Sequence, residues 1–182
     1  TTNVLRNVGK AAAIAVLLGD FFKGLLAPFA AITVLKLLIP AQALSVITTN
    51  PDLPLVSVLA AFFALLGHVK SCWIGFKGGK AVATGVGTIF ALDWRVGLLT
   101  ALIWVSIVYF SKISSLGALI AVPSSIVTMF IFQSLGQKLA LNETLIIYTA
   151  YCTLGALYII WKHSANIKRL IEGTEPKIGQ KK

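Results

Sequence analysis

Residues 67–87, GHVKSCWIGFKGGKAVATGVG, gather one His, one Cys, three Lys, a Thr and a run of Gly in a chain otherwise poor in charge. Gly78 and Gly79 between Lys77 and Lys80 have the composition of an anion-binding loop. The glycines let the backbone turn its N–H groups inward, and the lysines supply charge on both sides. A helix starting at residue 81 would add its N-terminus, which favours an anion. The implied ligand carries phosphate. A nucleotide P-loop does not fit, because Ile74 stands where the first Gly belongs, Ala81 where the hydroxyl belongs, and an apolar run precedes. The other reading of the loop is a basic cytoplasmic turn that obeys the positive-inside tendency.

Other reactive side chains are few. Asp20 and Lys23 lie three apart in an apolar run, hence on one helical face; such a pair is either a functional site or a mutually neutralising structural pair. The structural reading is preferred for Asp20, whose negative charge would oppose a phosphate; Lys23 fits either. Cys72 follows His68 by four residues, the spacing of a Cys-His nucleophilic pair on a helix, but Lys70, Ser71 and Gly75 argue against a helix there. Cys72 and Cys152 are the two cysteines, lie in different apolar contexts and lack metal spacing, so free thiols, no metal and no cofactor are expected.

These residues are positioned by apolar segments. The chain of 182 residues is 57% hydrophobic and 12% charged, and its mean hydropathy is +0.88, whereas soluble domains are about a quarter charged. The reading is an all-α, polytopic membrane protein forming one integral membrane domain over residues 1–182, with a basic cytoplasmic tail over residues 162–182. Six spanning or partly spanning segments are expected, at 11–39, 55–67, 81–92, 96–110, 116–135 and 144–161. The first would reach about 43 Å as a helix, against a hydrocarbon core of about 30 Å. Gly19, Gly24 and Pro28 are therefore expected to break or kink it and to leave Asp20 and Lys23 near the headgroups. Residues 81–92 are too few to span comfortably, and Ala81, Ala83, Thr84, Gly85 and Gly87 suit a short helix packed inside a bundle. Residues 40–54, with Asn50-Pro51-Asp52, read as a loop. Trp73, Trp104, Tyr109 and Trp161 read as interfacial anchors.

The net charge of +10 does not point to nucleic acid, because the basic residues sit in short loops between apolar segments. Of the sixteen Lys and Arg, twelve fall on the side of Arg6 and Lys80, three (Lys36, Arg95 and Lys138) on the other, with Lys23 set apart. That asymmetry places the first side in the cytoplasm. Asn3, His68, Thr84, Ser115, His163 and Asn166 gather on the same side. A helix continuing past Trp161 would put His163 and Asn166 on one face.

Several motifs in register resemble the bacterial acyl-phosphate:glycerol-3-phosphate acyltransferase family. They are T-N-V-L-R followed by G-K at the start, D-F-F-K-G from Asp20, G-H and then F-K-G-G-K-A-V-A-T, S-L at Ser115, and K-H-S-A-N-I-K-R-L-I-E-G-T-E from Lys162. Members of that family open with a further transmembrane helix and a motif resembling G-S-G-N-x-G-A-T-N. This chain enters the motif at its end, with Thr1 where the family has Ala, so an N-terminally incomplete chain lacking a seventh helix is expected. Ala81 also stands where the family usually has Gly.

The resemblance implies transfer of an acyl group from acyl phosphate to the first-position hydroxyl of glycerol 3-phosphate, giving lysophosphatidic acid and phosphate in the first step of phospholipid synthesis. It implies a bacterial inner-membrane enzyme with a cytoplasmic active site, membrane lipids as surroundings and no nucleic-acid partner. On this reading Lys80, Gly78, Gly79 and Thr84 cradle one phosphate, and Arg6 with Lys77 or Lys23 grips the other. Thr2 belongs to the substrate-binding set, and Asn3, Ser115, His163 and Asn166 orient the glycerol. Lys80, Arg6, His68 and Ser115 are the candidate catalytic residues. The substrate's own phosphate can take the hydroxyl proton; His68 is the rival base, or else a structural His bonding a backbone carbonyl at a helix end. Two other readings compete, a membrane anion or phosphate transporter and a shortened, inactive relative of the acyltransferase.

Overall fold

The computed structural model describes residues 2–40, 42–43, 53–76, 78–136 and 142–180. Among them the regular structure is helical: α1 (Thr2–Asn7), α2 (Lys10–Leu38), α3 (Pro54–Val69), α4 (Val82–Leu92), α5 (Trp94–Ser111), α6 (Ser114–Gly136), α7 (Glu143–Lys162) and α8 (Ser164–Ile171), with one 3-10 turn at Cys72–Ile74. Four helices, α2, α5, α6 and α7, are long and apolar enough to cross a membrane, while α3 and α4 are shorter and apolar. The six apolar segments expected from sequence are therefore all present as helices. A helix is the form that satisfies every backbone N–H and C=O internally where no water is available.

Local sequence explains most helix ends. Pro54 opens α3, where its missing N–H costs nothing. Asp93 caps α5 by accepting from the Arg95 N–H at 3.0 Å, and Asn142 caps α7 by accepting from the Leu145 N–H at 2.9 Å. Lys112, at φ 60°, turns the chain between α5 and α6.

Of the break or kink expected in α2, the break is not found. The helix runs without interruption over 29 residues and carries Pro28 inside it, rather than breaking at Gly19, Gly24 or Pro28. Pro28 costs the helix a single internal bond, and in lipid an open break would expose several, so the helix continues. Pro28 and Gly24 are both buried against the bundle. Trp104 also departs from its expected place at a segment end. It lies within α5 beside α6, where a Cβ on Gly117 would meet its ring at 3.0 Å. The loop expected at 40–54 lies for the most part outside the described residues.

The centre of the bundle is α4, whose Thr84, Val86, Gly87, Thr88, Ile89 and Leu92 are buried. It packs on α2, α3 and α5; α5 in turn packs on α6, and α6 on α7. The α2–α4 contact is backbone against backbone. A Cβ on Gly24 would overlap the Thr84 carbonyl, and a Cβ on Gly87 would overlap the Phe21 carbonyl. Small residues at such a crossing let two helices approach where lipid offers no hydrophobic drive to associate. The core beside α4 joins Ala61, Ile89, Leu92, Val96, Met129, Tyr148, Tyr151 and Cys152. A buried hydrogen bond of 2.6 Å between Thr88 Oγ1 and Tyr151 Oη ties α4 to α7.

At the end of α4 away from the Gly-Lys loop, Asp93 is closed off. Arg95 Nη2 lies 2.7 Å from its Oδ2, Gln133 Nε2 donates to the same oxygen at 3.0 Å, and the Arg95 guanidinium lies 4.8 Å above the centre of the Phe132 ring. Gly87→Val is predicted to abolish the monodisperse, folded species in detergent size-exclusion chromatography. Gly19→Ala, where an added Cβ meets nothing within 4 Å, should leave it unchanged.

Candidate active site

The loop before α4 is seated on the end of α3. A Cβ on Gly78 would overlap the backbone carbonyls of His68 and Val69, and a Cβ on Gly79 would stand 2.5 Å from His68 Nε2. These glycines are therefore required by close approach to α3, in addition to any freedom they give the loop's N–H groups. The chain enters α4 through Ala81, which is buried and left-handed at φ 59°, ψ 18°. That conformation is strained for any residue with a Cβ, which accounts for the expected Gly at this position.

From the loop, Lys80 Nζ donates to Asn166 Oδ1 on α8. Asn166 Nδ2 donates to Glu175 Oε1 at 2.5 Å, Ser115 Oγ to the same oxygen at 2.6 Å, and Arg169 Nε to Glu175 Oε2 at 2.7 Å. Residues distant in sequence, from the loop, α6, α8 and the segment after α8, thus meet around one carboxylate. That last segment is held over the α5–α6 corner by the Ile178 N–H donating to the Lys112 carbonyl at 2.7 Å. His163 breaks the chain between α7 and α8, so the continuous helix expected past Trp161 is two helices. The ring of His163 is buried and its Nδ1 lies 2.8 Å from the Ile159 carbonyl. It is His163, rather than His68, that bonds a backbone carbonyl at a helix end.

Electrostatics follow from this packing. Burial pushes the Glu175 carboxyl up, but hydrogen bonds from Ser115, Asn166 and Arg169, with the Arg169 charge, outweigh it and hold the group below its ordinary value. Burial pulls the Lys80 ammonium below the usual lysine value, with Glu175 opposing and Arg169 assisting. Burial likewise lowers His163, the nearby Lys80 charge assisting and the Ile159 carbonyl and Glu175 opposing.

A second group lies on the α3 side of the same loop. Asp20 Oδ1 lies 2.6 Å from Lys23 Nζ and 3.3 Å from His68 Nδ1, and Thr84 Oγ1 lies 3.3 Å from that same ring nitrogen. Thr84, expected to face the phosphate, is fully buried and turned toward His68, so its place is behind the loop. No helix joins Cys72 to His68: α3 ends at Val69, and Cys72 is exposed in the 3-10 turn.

Of the residues expected from sequence, the structure brings together Lys80, Ser115 and Asn166, with His163 beside them, and separately Lys23, His68 and Thr84. Gly78 and Gly79 lie between the groups. Lys77 lies outside the described residues, and for Thr2, Asn3 and Arg6 only the backbone placement, in α1, is described. Sequence reasoning missed Glu175 and Arg169. Arg169 follows Asn166 by three, the spacing of one helical face, which was a usable signal. Glu175 carries no local signal of its own in a basic segment, and only the fold shows that it is the common acceptor.

The family described as glycerol-3-phosphate acyltransferase matches residues 1–173. The chain belongs to that family. Two curated glycerol-3-phosphate acyltransferases, from Trichodesmium erythraeum (strain IMS101) and Nostoc sp. (strain PCC 7120 / SAG 25.82 / UTEX 2576), are 40% and 42% identical to it, each match covering 99% of this chain and 76% of the relative. The glycerol 3-phosphate form of PlsY (YgiH), an integral membrane glycerol 3-phosphate acyltransferase, superposes with a TM-score of 0.75 at 28% identity, covering 98% of this chain and 76% of that one. The lysophosphatidic acid form of PlsY (YgiH) gives 0.74 at 28% identity, covering 98% and 78%. The acyltransferase is thus an integral membrane enzyme of phospholipid synthesis, which sets aside the transporter reading.

Two predictions concern this site. Because the folded-state value of Glu175 lies below the ordinary 4.5, its stabilisation is present above that pH and is lost as pH falls through the folded-state value. The melting temperature of the parent protein in detergent should therefore decline on acidification below 4.5, and Glu175→Gln should lack that part of the decline. Ala81→Gly should raise stability by about 1 kcal/mol by relieving the left-handed alanine, measured as a higher melting temperature.

Proposed function

We propose that this glycerol-3-phosphate acyltransferase takes its acyl group from an acyl phosphate and passes it to the first-position hydroxyl of glycerol 3-phosphate, at the basic, cytoplasmic end of the bundle in a bacterial inner membrane. The observation that carries the reading is that Lys80 bonds Asn166, which shares the Glu175 carboxylate with Ser115 and Arg169, beside the Gly78–Gly79 loop. Two phosphates held side by side need cations and N–H donors, and this end of the molecule supplies both.

In this scheme Lys80 and the loop bind one phosphate, and Arg6 with Lys77 or Lys23 binds the other. Thr2, Asn3, Ser115, His163 and Asn166 orient the glycerol moiety. The hydroxyl attacks the acyl carbonyl carbon, the bond between that carbon and the phosphate oxygen breaks, and the hydroxyl proton passes to a phosphate oxygen. Acyl phosphates are activated already, so positioning and charge stabilisation supply most of what catalysis requires. The acyl chain lies along apolar helix surface; Leu65, Ala81, Gly85, Ile89, Tyr151 and Gly155 line a narrow apolar cleft of about 20 Å³ on the α4–α7 seam, against which the chain can lie but not enter.

The test is phosphate release from palmitoyl phosphate in detergent, with and without glycerol 3-phosphate, against palmitoyl-CoA as the alternative donor. Release that requires both palmitoyl phosphate and glycerol 3-phosphate is expected, and turnover with palmitoyl-CoA alone would refute the donor. Lys80→Ala should lower kcat/KM by about 100-fold or more, whereas Lys36→Ala, on exposed surface in the last turn of α2, should be silent. Near-parent turnover by Lys80→Ala would remove the cradle.

A further inference from the structure

The transfer scheme gives Asp20, a carboxylate at the basic end, no task. Asp20 projects from α2 toward the Gly-Lys loop, where a negative charge opposes phosphate. It is neutralised in place by Lys23 Nζ at 2.6 Å, and it lies 3.3 Å from His68 Nδ1, both side chains being largely buried. Thr84 Oγ1, from α4, lies 3.3 Å from the same ring nitrogen. The imidazole is therefore held on one edge by two helices.

Its opposite edge meets the loop. A Cβ on Gly79 would lie 2.5 Å from Nε2, 3.3 Å from Cε1 and 3.5 Å from Cδ2 of His68, so the ring points at Gly79 through Nε2. The preceding Gly78 lies against the His68 carbonyl, and the following residue is Lys80. A carboxylate only accepts, so Asp20 favours the ring proton on Nδ1, and with Thr84 at the same nitrogen it fixes the orientation of the ring. With Nε2 turned to the Gly79 backbone, His68 is placed as a wall of the loop rather than as a base facing substrate.

We propose that Asp20 is a positioning residue of the transfer reaction: it orients His68, and His68 seats Gly79 so that the loop and Lys80 meet the phosphate. This rests on the loop being a phosphate site, and the phosphate it takes is assigned here to glycerol 3-phosphate. A loop that is not held in place must be ordered on binding, which weakens its hold on the phosphate, and that loss is what the carboxylate prevents despite its unfavourable sign.

The experiment is a double-mutant cycle of Asp20→Ala and His68→Ala in the intact membrane protein. KM and kcat are read with palmitoyl phosphate as donor, and glycerol 3-phosphate affinity is read separately by calorimetry without donor. A loop that holds phosphate equally in the ground and transition states loses binding, so each single variant should raise KM and Kd for glycerol 3-phosphate about tenfold with kcat within about threefold. The double variant should be within about twofold of His68→Ala, since Asp20 acts through that ring. Asp20→Asn, which keeps an oxygen acceptor, should bring KM back to within about threefold of the parent. If Asp20→Ala loses the folded bundle, Asp20→Leu carries the same cycle. Additive losses in the double variant, unchanged glycerol 3-phosphate affinity in Asp20→Ala, or an Asp20→Asn as weak as Asp20→Ala would each overturn the proposal. A parent that binds glycerol 3-phosphate without turning over acyl phosphate would refute the donor assignment alone, and calorimetry would still judge Asp20.

Discussion

Backbone contact between α2 and α4 is the constraint on which the rest of the structure depends. With 11 residues, α4 is too short to cross a bilayer, so its ends must be buried in protein or lie against polar groups. Gly24 and Gly87 allow that burial because a Cβ at either position would overlap the backbone of the facing helix. Once α4 is seated, Thr84 faces His68 at one end and Asp93 meets Arg95 at the other. The Gly78–Lys80 loop is then suspended between the end of α3 and the start of α4. A loop held at both ends can keep N–H groups and an ammonium in fixed places, as binding a phosphate requires.

The two ends of α4 solve opposite electrostatic problems. Asp93 is matched by a two-pronged guanidinium and an amide, and the Arg95 charge spreads over the Phe132 ring, so that end is closed and nearly neutral. The loop end belongs to a chain with a net charge of +10, and its two largely buried carboxylates, Asp20 and Glu175, are committed to neighbouring donors. Each draws donors from different elements onto one carboxylate: Asp20 meets Lys23 and His68, and Glu175 accepts from Arg169, Asn166 and Ser115. Cations arranged around such carboxylates stay in place before any substrate arrives, so less ordering remains to be done on binding.

The membrane class, the positions of six apolar segments and the existence of a Gly-Lys loop were legible because they are local properties. Hydropathy over a window of about twenty residues, the spacing of small residues and the composition of a turn can be read without knowing what lies opposite. The uninterrupted course of α2 was misread for the same reason. Gly19, Gly24 and Pro28 are local signals for a break, and what overrides them is burial of Gly24 and Pro28 together with the demand for internal hydrogen bonds in lipid. Trp104 was misplaced because an anchoring role was read from residue type, although it lies in the middle of the 96–110 segment; its contact with Gly117 is what the fold adds.

The sequence by itself determined that this chain is a multi-pass helical membrane protein with one strongly basic side, and through its ordered motifs it indicated an acyltransferase with a phosphate-binding loop. Tertiary structure decided which of the polar residues on that side meet. Lys80 and Asn166 are 86 residues apart and touch only because α7 and α8 return to the start of α4. Glu175 and Asp20 gained roles because the fold placed donors around their oxygens, and no spacing rule carries that information. Periodicity fixes which face of a helix a residue occupies. Which other helix that face meets depends on packing among all of them, and at α2 and α4 on the removal of two side chains.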